Sequence, residues 1–184
     1  GEIAGRNLLH PTLELGGKNP LIVMADADLE NAVSGALWAA FGTGGQRCTS
    51  AGNIILDAPI AEEFTRRFLA ATQAITIGDP LKYPDVLYGP FINERFFNSW
   101  QAHYDWGKAD GATLLYGKGR ITRESKPSGF QGDPTAAFYG WPTIWAGVQP
   151  GMQLFQKEVF GPTINLVRVN GIDEAIEAAN SVDY

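Results

Sequence analysis

Two periodicities alternate along this chain, and they restrict its fold more than any other feature. Pro20-Leu21-Ile22-Val23-Met24 is an unbroken apolar run, the pattern of a strand buried on both faces. Directly after it, Leu29, Ala32, Val33, Ala36, Leu37, Ala40 and Phe41 recur at helical spacing and lay one apolar stripe along a helix. Asp26 or Asp28 can cap that helix by accepting its first free amide protons. Asn53 to Leu56 reads as the next strand, and Pro59 opens a second helix with Ile60, Phe64, Phe68, Ala71 and Ile75 on one face. Gly78-Asp79-Pro80 breaks it. Asn93 to Ala109 reads as a third helix, Ala112 to Tyr116 and Thr163 to Val169 as strands, and Gly171-Ile172-Asp173 caps a last helix running to Asn180. Strands alternating with helices predict an α/β fold with a mainly parallel sheet flanked by helices. Pro11 to Leu15 reads as an additional short strand, stopped by Gly16-Gly17. Gly117 to Trp141 is irregular and rich in Gly and Pro.

With 184 residues, 45% of them hydrophobic and 18% charged, the chain can bury one proper core. A net charge of −6 argues against nucleic acid and anionic membrane surfaces, which select basic faces. No apolar run reaches bilayer-spanning length, and no basic-then-apolar leader is present. A single cysteine forms no internal disulfide, so a reducing, cytoplasmic setting is expected. With that one cysteine, and with His10 and His103 far apart, no metal site is expected. The opening Gly1-Glu2-Ile3-Ala4-Gly5-Arg6 reads as the tail of a helix, and the sequence stops at Tyr184 without tapering. A piece of a longer protein is therefore expected.

Cys48 follows Gly42-Thr43-Gly44-Gly45-Gln46-Arg47 and precedes Thr49-Ser50. A lone cysteine often serves as a small buried hydrophobe. A glycine-rich polar turn suits an accessible thiol instead, since its backbone bends sharply and approaches a ligand closely. Arg47 can favour the reactive thiolate by charge, or pair with a surface carboxylate. Glu14 can act as a general base if burial raises its pKa, or pair with Lys18 at a strand end.

Three separated stretches then point one way: Leu13-Glu14-Leu15-Gly16-Gly17-Lys18-Asn19-Pro20, Gly45-Gln46-Arg47-Cys48-Thr49-Ser50 and Glu158-Val159-Phe160-Gly161-Pro162. In this order they resemble the catalytic domain of the NAD(P)-dependent aldehyde dehydrogenases, and the resemblance covers nearly the whole chain. It implies a three-layer domain over residues 1–184, without the family's cofactor-binding domain and oligomerisation flap. It implies a small-molecule aldehyde substrate, NAD or NADP as cofactor, and a homo-oligomeric parent protein. Cys48 is then the nucleophile, passing through a thiohemiacetal and a thioester, and Glu14 the base that activates the hydrolytic water. The Cys48 N–H supplies half of an oxyanion hole. The family's second donor, an asparagine of the cofactor-binding domain, has no counterpart here, and Asn19 is not it. Glu158 binds the nicotinamide ribose hydroxyls, Phe160 packs near the nicotinamide or simply fills core, and Leu15 and Gly16 approach the ring. Gln46 and Thr49 are read as scaffold.

Two departures accompany the resemblance. Without the cofactor-binding domain, the chain is expected to fold but not to turn over. The stretch around Lys118 to Trp141 is longer than usual and is expected to be a surface elaboration, so that deleting Arg123 to Asp133 leaves activity largely intact. Two other functions compete: a thiol-dependent relative reducing an acyl phosphate or acyl-CoA, and a non-catalytic domain that inherited the fold. Glu14 favours the oxidising enzyme, since a reductase does not need the base in the same way.

Overall fold

The computed structural model describes residues 1–184. A short helix, α1 (Glu2–Arg6), leads into an exposed arm without helix or strand and then β1 (Asn19–Val23). Helix α2 (Leu29–Phe41) starts where Asp28 Oδ1 accepts from the N–H groups of Glu30 and Asn31, at 3.0 and 3.1 Å. Of the two aspartates able to cap it, the one adjacent to the first turn does so. Its apolar stripe is its buried face, through Val33, Ala36, Ala40 and Phe41. A 3-10 turn over Gly42–Gly45 joins it to β2 (Ala51–Asp57), which runs parallel to β1. Helix α3 (Ala58–Gln73) carries Pro59 in its first turn and packs on α2 through phenylalanines. Phe68 stacks on Phe41 at 5.9 Å and on Phe64 at 5.5 Å. Ile75 lies past the end of this helix but is still buried.

There follow β3 (Ile77–Gly78), α4 (Glu94–Asp110), β4 (Thr113–Tyr116), β5 (Phe130–Gln131), β6 (Thr143–Ala146), α5 (Gln153–Gln156), β7 (Thr163–Val169) and α6 (Ile172–Ala179). The main sheet has the order β1-β2-β7-β6-β4, parallel throughout except for the antiparallel edge pair β6–β4. Strand alternation divides the core. Ile54, Leu56, Ile164 and Leu166 join the cluster that contains Phe41, Phe64 and Phe68. Ile55, Val167 and Val169 face the opposite cluster, with Trp145, Ala175 and Ala178. The result is the expected three-layer arrangement, helices on both faces of a mainly parallel sheet. No helix is long and apolar enough to cross a membrane.

Four readings of the sequence are corrected. Pro11 to Leu15 is exposed and pairs with no strand. The local pattern suits a strand, but a ladder needs a neighbour that local sequence does not provide. β1 is an edge strand with Pro20 exposed and Ile22 partly so, because only β2 flanks it. The stretch from Gly117 to Trp141 is not mere surface. Ile121, Phe130, Tyr139 and Trp141 belong to the main core, and β5 pairs with β3. The strand β6 and the short helix α5 complete the list, since neither was read from the sequence.

Candidate active site

Each of the three sequence motifs runs into the N-terminal end of a strand: the first into β1, the second into β2, the third into β7. Those strands are parallel neighbours in that order. Topology alone therefore sets the motifs side by side along one edge of the sheet. There they enclose a cleft of about 580 Å³ lined by Cys48, Glu14, Glu158, Phe160, Leu15 and Gly16, with Gln46, Arg47 and Thr49 completing the wall.

The cysteine turn is held from several sides. Thr43, Gly44 and Gly45 all adopt left-handed backbone, with φ of 56°, 67° and 65°. Gly45 is also pressed against the carbonyl of Gly161, so any Cβ there would overlap the backbone of the third motif. Asn19 Nδ2 donates to the carbonyls of Cys48 (2.7 Å) and Ser50 (2.9 Å). Gln46 ties the turn to the segment before α4: its Nε2 donates to Pro90 O at 3.3 Å, and its Oε1 accepts from Ile92 N at 3.2 Å. Cys48 itself is exposed, which rules out a buried-hydrophobe role. Arg47 pairs with no carboxylate. Its guanidinium lies 5.4 Å from the Trp38 ring centre and donates to Trp38 O at 3.4 Å.

Glu14 lies on the exposed arm, not at the buried strand end expected for it. The alternative pairing with Lys18 is also absent, since the ion pairs of the chain lie elsewhere. Lys18 turns away and is buried, 4% exposed. Burial holds its pKa down to about 7, and the Glu158 carboxylate opposes that shift.

Glu158 is half-buried, with its carboxylate against the Cα of Gly16. A pair of buried asparagines fixes its approach. Asn53 and Asn165 face each other across β2 and β7, joined by a 2.9 Å hydrogen bond. Asn53 Nδ2 donates to Phe155 O at 3.1 Å and Asn165 Nδ2 to Leu154 O at 2.7 Å, which anchors α5 just ahead of the third motif. Phe160 is half-buried rather than core, with its ring 6.0 Å from that of Phe96 on α4. Behind the motif, Trp100 Nε1 donates to Thr163 Oγ1 at 2.8 Å. His103 places Nε2 at 3.3 Å from that oxygen and Nδ1 at 2.5 Å from Trp100 O. The set closes when Nδ1 carries the proton and Nε2 accepts from Thr163. Burial holds the His103 pKa down to about 4, partly opposed by its bond to the Trp100 carbonyl.

Comparison with known proteins identifies the family and the fold. The sequence matches the aldehyde dehydrogenase family over residues 1–184. The chain belongs to that family. It is 36% identical to a betaine aldehyde dehydrogenase of Mesorhizobium japonicum, covering 99% of this chain and 36% of that protein. It is 38% identical to an alpha-ketoglutaric semialdehyde dehydrogenase of Bacillus subtilis, over 94% of this chain and 33% of the other. Among solved structures, betaine aldehyde dehydrogenase of Staphylococcus aureus in complex with NAD+ superposes with a TM-score of 0.86 at 31% identity, over 100% of this chain and 34% of that one. The chain thus spans about a third of the length of the aldehyde dehydrogenases it matches.

All six residues singled out in the sequence line this one cleft. Sequence reading missed how Asn19, Lys18 and the Asn53–Asn165 pair support it. Asn19 carries a usable signal: a polar residue opening a strand directly after a motif can bond a neighbouring turn.

Proposed function

We propose that the protein carrying this chain oxidises an aldehyde to a carboxylic acid with NAD or NADP, and that residues 1–184 are its cysteine-bearing catalytic domain. One observation carries the reading: an exposed thiol, an exposed carboxylate and a half-buried carboxylate line the same cleft. The Cys48 sulfur attacks the aldehyde carbon and forms the thiohemiacetal, whose oxyanion is met by the Cys48 N–H. Glu14 takes a proton from the water that cleaves the resulting thioester, and Cys48 leaves as thiolate. Glu158 suits a vicinal diol, since a carboxylate free of ion pairs offers both oxygens to two hydroxyls. Gly16 keeps the cleft wall low beside that carboxylate, and Leu15 and Phe160 supply apolar surface for a flat ring. A nicotinamide cofactor bound there would accept the hydride.

The substrate class is an aldehyde, and betaine aldehyde and alpha-ketoglutaric semialdehyde are the first two to try, being named for relatives of this chain. A reducing, cytoplasmic setting and a homo-oligomeric parent belong to the same proposal; the lone thiol must stay reduced to act. Residues 1–184 alone are expected to fold without turning over. The test is aldehyde-dependent NADH or NADPH formation by the full-length protein, with Cys48→Ala lowering kcat by about a thousandfold or more. Unchanged turnover by that variant, or turnover that requires phosphate or CoA, would overturn the reading.

A further inference from the structure

Lys18 is the only buried Lys or Arg of the chain, and the backbone is arranged around it. In the β1–β2 ladder Asn19 pairs with Ala51 and Pro20 with Asn53, so Gly52 is skipped. The Lys18 stem crosses that skipped residue. A Cβ at position 52 would sit 2.6 Å from its Cδ and 2.9 Å from its Cε, space that only glycine leaves open. Two residues earlier in the same loop, Gly16 backs onto the Glu158 carboxylate. One short segment therefore touches the carboxylate at one end and threads a buried cation past Gly52 at the other.

Burial lowers the Lys18 pKa, the Glu158 carboxylate raises it in opposition, and the Lys18 charge in turn adds to the burial that lowers the pKa of His103. His103 is committed to Thr163 and Trp100, and it stays neutral near pH 7 because burial holds its pKa to about 4. Glu158 is thus the anion left for the lysine, which carries its full charge only below its pKa of about 7. Their separation exceeds the 4 Å of a direct ion pair, since the ion pairs of the chain lie elsewhere. Poor screening inside the protein lets such an attraction act across more than one contact distance.

We propose that Lys18 is a positioning residue for the cofactor. Its ammonium, delivered through the gap at Gly52, holds the Glu158 carboxylate in the lining of the cleft, where the carboxylate receives the ribose hydroxyls. This rests on the reading in which Glu158 binds the cofactor. Lys18 touches no reacting atom, so its loss weakens cofactor binding far more than it slows the chemical step.

The experiment titrates NAD+ and NADP+ into the full-length protein and its variants by fluorescence at about pH 6, where Lys18 is charged, with melting curves as a check on folding. Glu158→Gln tests the underlying reading and should raise the cofactor Kd about tenfold. Lys18→Met keeps the apolar stem and discards the charge, and its melting curve shows whether the fold is kept. It should raise the Kd about tenfold, leave kcat within about threefold, and add nothing further in the Glu158→Gln background. Gly52→Ala displaces the lysine stem with every charge retained and should weaken binding in the same direction. Wild-type binding by Lys18→Met, or losses that multiply in the double variant, would overturn the inference while leaving Glu158 in place. Wild-type binding by Glu158→Gln would remove the reading beneath it, and the inference with it. If Lys18→Met does not fold, Gly52→Ala decides alone, and unaltered binding by that variant would be the contradicting result.

Discussion

The two segments that carry Glu14 and Cys48 face one cleft but are held very differently. The cysteine turn is fastened by the Asn19 amide, by Gln46 and by the close seat of Gly45 on Gly161. The arm from Leu8 to Gly16 is exposed, with Leu8, Leu9, Leu13 and Leu15 all largely open to solvent. The proposed nucleophile is therefore preorganised by these residues themselves, whereas the position of the proposed base owes little to them. Preorganisation matters most where charge develops, and the N–H of Cys48 is the donor expected at the oxyanion.

The largest effect expected from this contrast is at Gly45. Gly45→Ala places a Cβ on the Gly161 carbonyl while forcing a left-handed backbone on an L-residue. We expect a stability loss on the order of 3 kcal/mol in denaturant melts, with aldehyde turnover lost. Unchanged stability would mean that the two motifs are not in register as described.

Next comes the wall behind the third motif. His103 is buried and neutral, with its pKa held to about 4, whereas the unfolded chain takes up that proton near pH 6.5. Between those values the unfolded state binds more protons, so stability falls as pH falls. The slope is roughly 1.4 kcal/mol per pH unit within that window. Melts across pH 4 to 7 should show it, and His103→Leu should flatten it. Lys18 works in the same sense at higher pH: with its pKa at about 7, its contribution improves as pH rises from 7 towards 10.5.

Asn19→Ala removes two hydrogen bonds from the cysteine turn. We expect about 1–2 kcal/mol of lost stability and a tenfold or greater drop in kcat with little change in substrate KM. A rise in KM alone would place Asn19 in binding rather than in holding the nucleophile. The smallest effect belongs to the arm. Leu13→Ala should change stability by less than about 0.5 kcal/mol, because its side chain is 66% exposed. A larger loss would show that the arm is fastened more firmly than its exposure indicates.

Sequence legibility followed the same division. The helices α2, α3 and α4 and the strands β2 and β7 were readable because each repeats one chemical pattern over enough residues to have a period. β6 is only Thr143–Ala146, too short to show alternation, and it follows Trp141 and Pro142. Ile121, Phe130, Tyr139 and Trp141 reach the core one at a time from glycine- and proline-rich surroundings, so nothing marked them as buried. That revises the deletion expected to be harmless. Removing Arg123 to Asp133 takes out Phe130 and with it the β5–β3 ladder, a loss of about 3–5 kcal/mol, whereas trimming the residues before Pro127 spares both. The grouping of the candidate site residues was more legible than the fold. Those residues sit in three local motifs, and the motif order matches the order of the adjacent strands. What stayed hidden was support from afar. The burial of Lys18 depends on Gly52, and the placing of Glu158 depends on a pair of asparagines from two strands.

The central claim is that Cys48 and Glu14 act on one bound aldehyde in one cleft. It is tested most directly by mass spectrometry of the full-length Glu14→Gln variant after mixing with aldehyde and oxidised cofactor. We expect about one equivalent of reduced cofactor per subunit and an acyl adduct that accumulates on the Cys48 peptide, because the thioester forms but is not hydrolysed. An adduct on another residue, or normal steady turnover without any adduct, would contradict it.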